Sequence, residues 1–295
     1  MVENLGRLIT AMVTPFDRKL GVDYQRAAEL AKYLAGNGSD GILVSGTTGE
    51  SPTLSVQEKT RLLEKVLEAV GDQTLVLAGT GSNSTSDSIH LTKRAEAIGA
   101  HAVMLVAPYY NKPPQNGLYQ HFREIAEATR LPVMLYNVPG RTASNILPAT
   151  VARLARIANI VAIKEASGNL DQITEIRRLC PDSFQIYSGD DSATLPILAI
   201  GGVGVVSVVS HIAGKDIRRM VEAFEEGNHQ EAASWHARLF PLFKALFVTT
   251  NPIPVKAALE LAGFPVGGVR LPLVGPEERD VEVIRQAMAE YGLIK

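Results

Sequence analysis

The chain has 295 residues, 46% of them apolar and 20% charged, which describes a soluble folded body with a sizeable core and excludes the disordered and fibrous classes. A formal net charge of -2, with no block of like charges, argues against nucleic acid as a partner. A single cysteine, Cys180, excludes an intrachain disulfide or a cysteine-rich metal site and reads as structural at a helix end before Pro181.

The N-terminus, Met1-Val2-Glu3-Asn4, lacks a basic start ahead of a long apolar stretch. No apolar run approaches the roughly 20 residues of a membrane-spanning helix. A cytoplasmic protein with no membrane partner is expected.

Short Val/Ile/Leu-rich segments then recur, separated by helical stretches. In chain order they are Leu8 to Val13, Gly41 to Ser45, Thr74 to Gly79, Ala102 to Ala107, Pro132 to Tyr136, Ile160 to Lys164, Phe184 to Ser188 and Gly204 to Val208. Most lack apolar-polar alternation, as expected for parallel strands covered on both faces. Ser55-Val56-Gln57-Glu58 reads as a capping box, and Gly36, Gly71 and Gly99 fit helix stops. Eight strand-helix units near 30 residues apart suit a closed α/β TIM barrel, (β/α)8, better than an open doubly wound sheet. An open sheet would also call for a glycine-rich fingerprint after its first strand, and Thr14-Pro15-Phe16-Asp17 is not one. Beyond Val208 the pattern is helical, with breaks at Gly227, Pro252, Gly263 to Gly268 and Pro276. This divides the chain into a barrel over 1–225 carrying the active site and a small C-terminal helical appendage over 226–295.

In such a barrel the site is built from the carboxyl ends of the strands. Lys164 ends an apolar strand, where burial favours the neutral amine that attacks carbonyls. A fixed cation for phosphate or carboxylate, or a pair with Glu165, is the competing reading. Lys256 is assigned structural work. The six histidines, His90, His101, His121, His211, His229 and His236, fall in or beside helical segments and read as surface residues. Tyr136 and Tyr110 lie on strand-end loops where a phenol can relay protons, with Thr48 as a hydroxyl beside them; ordinary amphipathic packing is equally open. Arg141 could grip a carboxylate through two parallel hydrogen bonds or form a surface ion pair. The Gly46 to Gly49 loop offers backbone amides and two threonine hydroxyls to a carboxylate, or is simply a tight turn. No paired histidines or clustered carboxylates stand at ligand spacing, and Asp190-Asp191 alone is insufficient, so no metal is expected.

The segments Gly46-Thr47-Thr48-Gly49-Glu50, Pro108-Tyr109-Tyr110-Asn111-Lys112-Pro113, Tyr136-Asn137-Val138-Pro139-Gly140-Arg141-Thr142, Ile163-Lys164-Glu165-Ala166-Ser167-Gly168, Ser188-Gly189-Asp190-Asp191 and Asn251-Pro252-Ile253-Pro254-Val255-Lys256 appear together and in this order. In them the chain resembles the dihydrodipicolinate synthase family, within the pyruvate-dependent class I aldolases that also include N-acetylneuraminate lyase. The resemblance implies a lyase of lysine and diaminopimelate biosynthesis in which Lys164 forms a Schiff base with pyruvate and Tyr136 transfers protons. Thr48 and Tyr110 would complete the relay, with Tyr110 given to the neighbouring subunit's site. Thr47 and Thr48 would hold the pyruvate carboxylate and Arg141 that of aspartate 4-semialdehyde, with backbone at Gly189 and Val206 lining the pocket. It implies a homotetramer and no metal or organic cofactor. Ser51, Pro52, Asn83 and Tyr109 fall where lysine-sensitive members bind that inhibitor. Asp87 replaces a longer acid there, and Val56 and Lys59 replace histidines of some sensitive enzymes. A cation at Lys59 repels lysine's ammonium groups, so weak or no inhibition is expected. A related aldolase acting on a sugar acid would keep Lys164 and Tyr136, whereas Arg141 and the Tyr109-Tyr110 pair favour a short acidic aldehyde.

Overall fold

A computed structural model describes residues 5–295; the reading of Met1 to Asn4 falls outside them. Eight parallel strands close into a barrel in chain order: β1 (Leu8–Ala11), β2 (Gly41–Val44), β3 (Leu75–Gly79), β4 (Ala102–Val106), β5 (Val133–Asn137), β6 (Ile160–Glu165), β7 (Gln185–Ser188) and β8 (Gly204–Ser207). All eight expected strands form, most of them a residue or two shorter than the apolar runs. The helices between them are α1 (Tyr24–Gly36), α2 (Val56–Val70), α3 (Thr85–Ile98), α4 (Gln115–Glu127), α5 (Pro139–Thr142), α6 (Pro148–Leu154), α7 (Leu170–Leu179) and α8 (Thr194–Ala199). After the last strand come α9 (Ser210–Glu225), α10 (His229–Ala245), α11 (Ile253–Leu261) and α12 (Glu278–Tyr291). No helix among the described residues is long and apolar enough to cross a membrane.

Local chemistry sets the helix ends. Ser55 accepts from the Glu58 backbone N–H while the Glu58 carboxylate accepts from that of Ser55, so the capping box closes and α2 begins there. Gly99 stops α3 in the left-handed region, whereas Gly36 is still helical and Asn37 caps α1.

Strand alternation sorts the core into two layers. Ile9, Leu43, Leu77, Met104, Met134, Ala162, Tyr187 and Val206 point inward and fill the barrel. Their neighbours Leu8, Ile42, Val76, Leu105, Leu135, Ile163 and Val205 point outward and pack under the helices. The same alternation sends Tyr136 and Lys164 inward at the carboxyl end, where they are paired across β5 and β6.

Closure between β8 and β1 requires a residue without a side chain at 204. A Cβ there would stand 2.0 Å from the Arg7 carbonyl oxygen. Gly204→Ala should therefore force the seam apart and destabilise the fold by about 1–3 kcal/mol. Denaturant unfolding checks this, and an unchanged midpoint would contradict the close approach.

Candidate active site

Lys164 is 5% exposed at the end of β6, its Nζ 4.2 Å from the centre of the Tyr136 ring. Burial, which disfavours the ammonium, brings its pKa down to about 8; Asp191 opposes this shift and Arg141 adds to it. The pairing with Glu165 left open by the sequence does not form. Glu165, one residue on, faces the helical layer, where its carboxylate accepts from Asn137, Gln172 and the Ser167 backbone.

Lys256 shows what a paired buried lysine looks like. It is 4% exposed, and its Nζ lies 2.7 Å from Glu50 Oε1 as an ion pair without hydrogen-bond alignment. Among the described residues no carboxylate stands so close to Lys164. One buried amine is neutralised by an acid and the other is met by an aromatic face.

Tyr136 is almost fully enclosed, and desolvation raises its pKa while Arg141 and a hydrogen bond with the Thr47 side chain pull the other way. Thr47 thus stands beside the phenol, where the sequence offered Thr48. Thr48 is buried, and its Oγ1 accepts from Asn251 Nδ2 at 2.9 Å. The neighbouring threonines point different ways because the loop is tightly wound: Gly49 N and Ser51 N both bond the Gly46 carbonyl, and Ser45 and Glu50 take positive φ at its ends.

A cavity of about 270 Å³ adjoins Tyr136, lined among others by Thr47, Gly79, Met104, Val138 and Arg141. Arg141, exposed on the one-turn helix α5, donates to the Asn251 carbonyl at 3.3 Å. Gly189 packs its backbone against Lys164, for a Cβ there would lie 3.1 Å from Lys164 Cε. Val206 is buried on β8. Tyr110 is 89% exposed with positive φ and does not line this cavity.

The same cavity runs on to Ser51, Pro52, Lys59, Ser82 and Tyr109. Burial lowers the Lys59 pKa. Asn83 lies beside it, its carbonyl accepting from Asn111, and Val56 and Asp87 are exposed in the first turns of α2 and α3. No group of three metal-binding side chains occurs among the described residues.

The reading of the histidines as surface residues fails for two of them. His211 is fully buried: Nε2 accepts from Val13 N at 3.1 Å, Nδ1 meets the Val208 carbonyl at 2.7 Å, and burial takes its pKa to about 4. His121 is buried against Thr85 with a pKa also near 4. Two further residues, present in the shared segments but given no role there, belong to the site. Asp191 is buried with backbone N–H groups of Val208 and Val209 on one oxygen and Ser207 on the other, and desolvation lifts its pKa to about 6. Asn251 touches both Thr48 and Arg141.

Comparison with known proteins places this geometry. The model of the dihydrodipicolinate synthetase family matches residues 4–290. The chain is 60% identical over 288 residues to the 4-hydroxy-tetrahydrodipicolinate synthase of Heliobacterium modesticaldum, covering 98% of this chain and 96% of that protein. Among solved structures, the synthase of Cyanidioschyzon merolae with lysine bound superposes with a TM-score of 0.97 at 52% identity, over 98% of this chain and 99% of that one. The chloride-inhibited enzyme of Acinetobacter baumannii complexed with pyruvate gives 0.96 at 39% identity, over 99% and 100%. A barrel mouth with a desolvated lysine against a tyrosine, in a chain matched over nearly its whole length by these relatives, makes the chain a member of the dihydrodipicolinate synthetase family.

Proposed function

We propose that the chain condenses pyruvate with L-aspartate 4-semialdehyde to give 4-hydroxy-tetrahydrodipicolinate, using Lys164 as a Schiff-base nucleophile. The observation that carries the chemistry is the unpaired, buried Lys164 amine against the Tyr136 ring. The product is the one in the names of relatives at 59–60% identity, and the two substrates are those that the family resemblance implies.

The neutral Nζ attacks the keto carbon of pyruvate, and the Tyr136 phenol, kept protonated by its raised pKa, gives the proton with which water leaves the carbinolamine. The phenolate left on Tyr136 takes a methyl proton from the iminium, forming the enamine and restoring the phenol. The enamine carbon adds to the aldehyde carbon of the second substrate. Attack of that substrate's amine on the iminium carbon closes the ring and releases Lys164. Thr47 and Thr48 with their loop amides hold the pyruvate carboxylate, and Arg141 the other carboxylate. Gly189 and Val206 line the pocket with backbone. Exposed Tyr110 extends the relay into a neighbouring subunit of a homotetramer, and Thr47 takes the place in that relay first given to Thr48. The chemistry needs no metal or organic cofactor, since the iminium formed on the lysine is the electron sink.

Borohydride reduction after incubation with pyruvate should fix a single adduct, mapped by mass spectrometry to Lys164 and absent from Lys164→Arg. The initial rate of trapping should rise with pH to a plateau, because the reactive species is the deprotonated amine and its pKa lies near 8. A midpoint above pH 10 would mean a solvated lysine. Arg141→Ala should raise the semialdehyde KM by roughly tenfold to hundredfold, as for loss of a hydrogen bond to a charged group, while leaving the pyruvate adduct intact. Equal damage to both would remove Arg141 from its role. We propose further that Lys59, by repelling lysine's ammonium groups at the far end of the cavity, leaves the enzyme weakly inhibited or uninhibited by lysine. Full inhibition by sub-millimolar lysine would overturn that.

A further inference from the structure

The loop that carries Thr47 is held from three sides by residues outside it. Asn251 Nδ2 donates to Thr48 Oγ1 at 2.9 Å in a buried contact. Lys256, one turn along on α11, forms the buried ion pair with Glu50, whose other oxygen accepts from Arg270 N at 2.9 Å. Thr14 donates to the Gly49 carbonyl at 2.6 Å. Lys256 is itself fixed by a 2.6 Å bond to the Gly268 carbonyl and by the Phe16 ring.

These contacts are needed because the loop does not hold its shape for free. Ser45 and Glu50 both sit at positive φ, 57° and 54°, where a side chain is sterically disfavoured. Glu50, one of the two residues with a strained backbone, is also the one gripped by Lys256 and Arg270. Released from these partners, it would relax toward negative φ and swing the preceding residues with it. Thr47, three residues back, lies beside Tyr136 in the cavity wall and lowers the pKa of its phenol.

Resting on the aldolase reading above, we propose that Asn251 and the Glu50–Lys256 pair are positioning residues. They fix the loop so that Thr47 stays in register with Tyr136 for proton transfer to and from the pyruvate adduct. Neither touches the reacting atoms. The region after the barrel thereby sets the geometry of a proton relay inside the barrel.

Deuterium uptake into the methyl group of pyruvate in D2O, without aldehyde and followed by NMR, reads the enamine-forming step alone. Asn251→Leu, and Glu50→Gln combined with Lys256→Met, replace the anchors with side chains of similar size, the latter leaving no unpaired buried charge. Each should slow exchange by roughly tenfold to hundredfold, the cost of a misplaced catalytic group, while borohydride trapping at saturating pyruvate still reaches one adduct per chain. Repeated in a Thr47→Val background, both changes should become silent to within about twofold, because the hydroxyl they position is gone. Equal slowing with or without the Thr47 hydroxyl, or no slowing with it, would overturn the proposal. If the double replacement does not fold, Asn251→Leu decides alone. Absence of any trapped adduct in the unmodified protein would instead sink the aldolase reading, so the two failures are distinct.

Discussion

Keeping an amine out of water without giving it an acid is the constraint around which this site is built. Removing a charged ammonium from solvent costs several kcal/mol, so an unpaired buried lysine discards its proton well below the usual pH. Lys164 meets that condition because strand alternation turns it inward at the end of β6 while its neighbour Glu165 is turned away. A single-residue slip in register would exchange them, placing the carboxylate inside and the amine under the helices. The nearest acids are managed instead of removed. Asp191 spends its lone pairs on Ser207 and two backbone N–H groups, and Asp190 is exposed.

The contrast with Lys256 shows that burial alone does not define chemistry. Both lysines are about equally enclosed, and both have lowered pKa values from desolvation. Only at 256 does a carboxylate lie within 3 Å. That pair does mechanical work, joining α11 to a loop whose backbone is strained at Ser45 and Glu50.

What could be read from the sequence was whatever is encoded locally. The eight Val/Ile/Leu runs, the Ser55–Glu58 capping box and the strand-end placing of Lys164 and Tyr136 depend on neighbours in the chain, and each is present in the fold. What escaped depends on distant partners. His211 looks like an ordinary helical residue until the Val13 backbone, 198 positions away, is seen to occupy its Nε2. Which of two adjacent threonines meets Tyr136 is decided by the winding of a five-residue loop, to which composition is blind. Asn251 and Lys256 belong to one short segment, yet nothing in its spacing announces that the first reaches across the molecule to Thr48 and the second to Glu50.

The long span of those contacts bears on how the protein is made. Thr48 and Asn251 are separated by 203 positions, and Glu50 and Arg270 by 220, among the longest loops the chain must close. A polypeptide emerging from the ribosome exposes every strand of the barrel, with Lys164 and Tyr136 already on it, before the segment that braces residues 46–50 has been translated. The nucleophile is therefore synthesised ahead of the scaffold that tunes its surroundings, and the site matures only once residues 251–270 have been made.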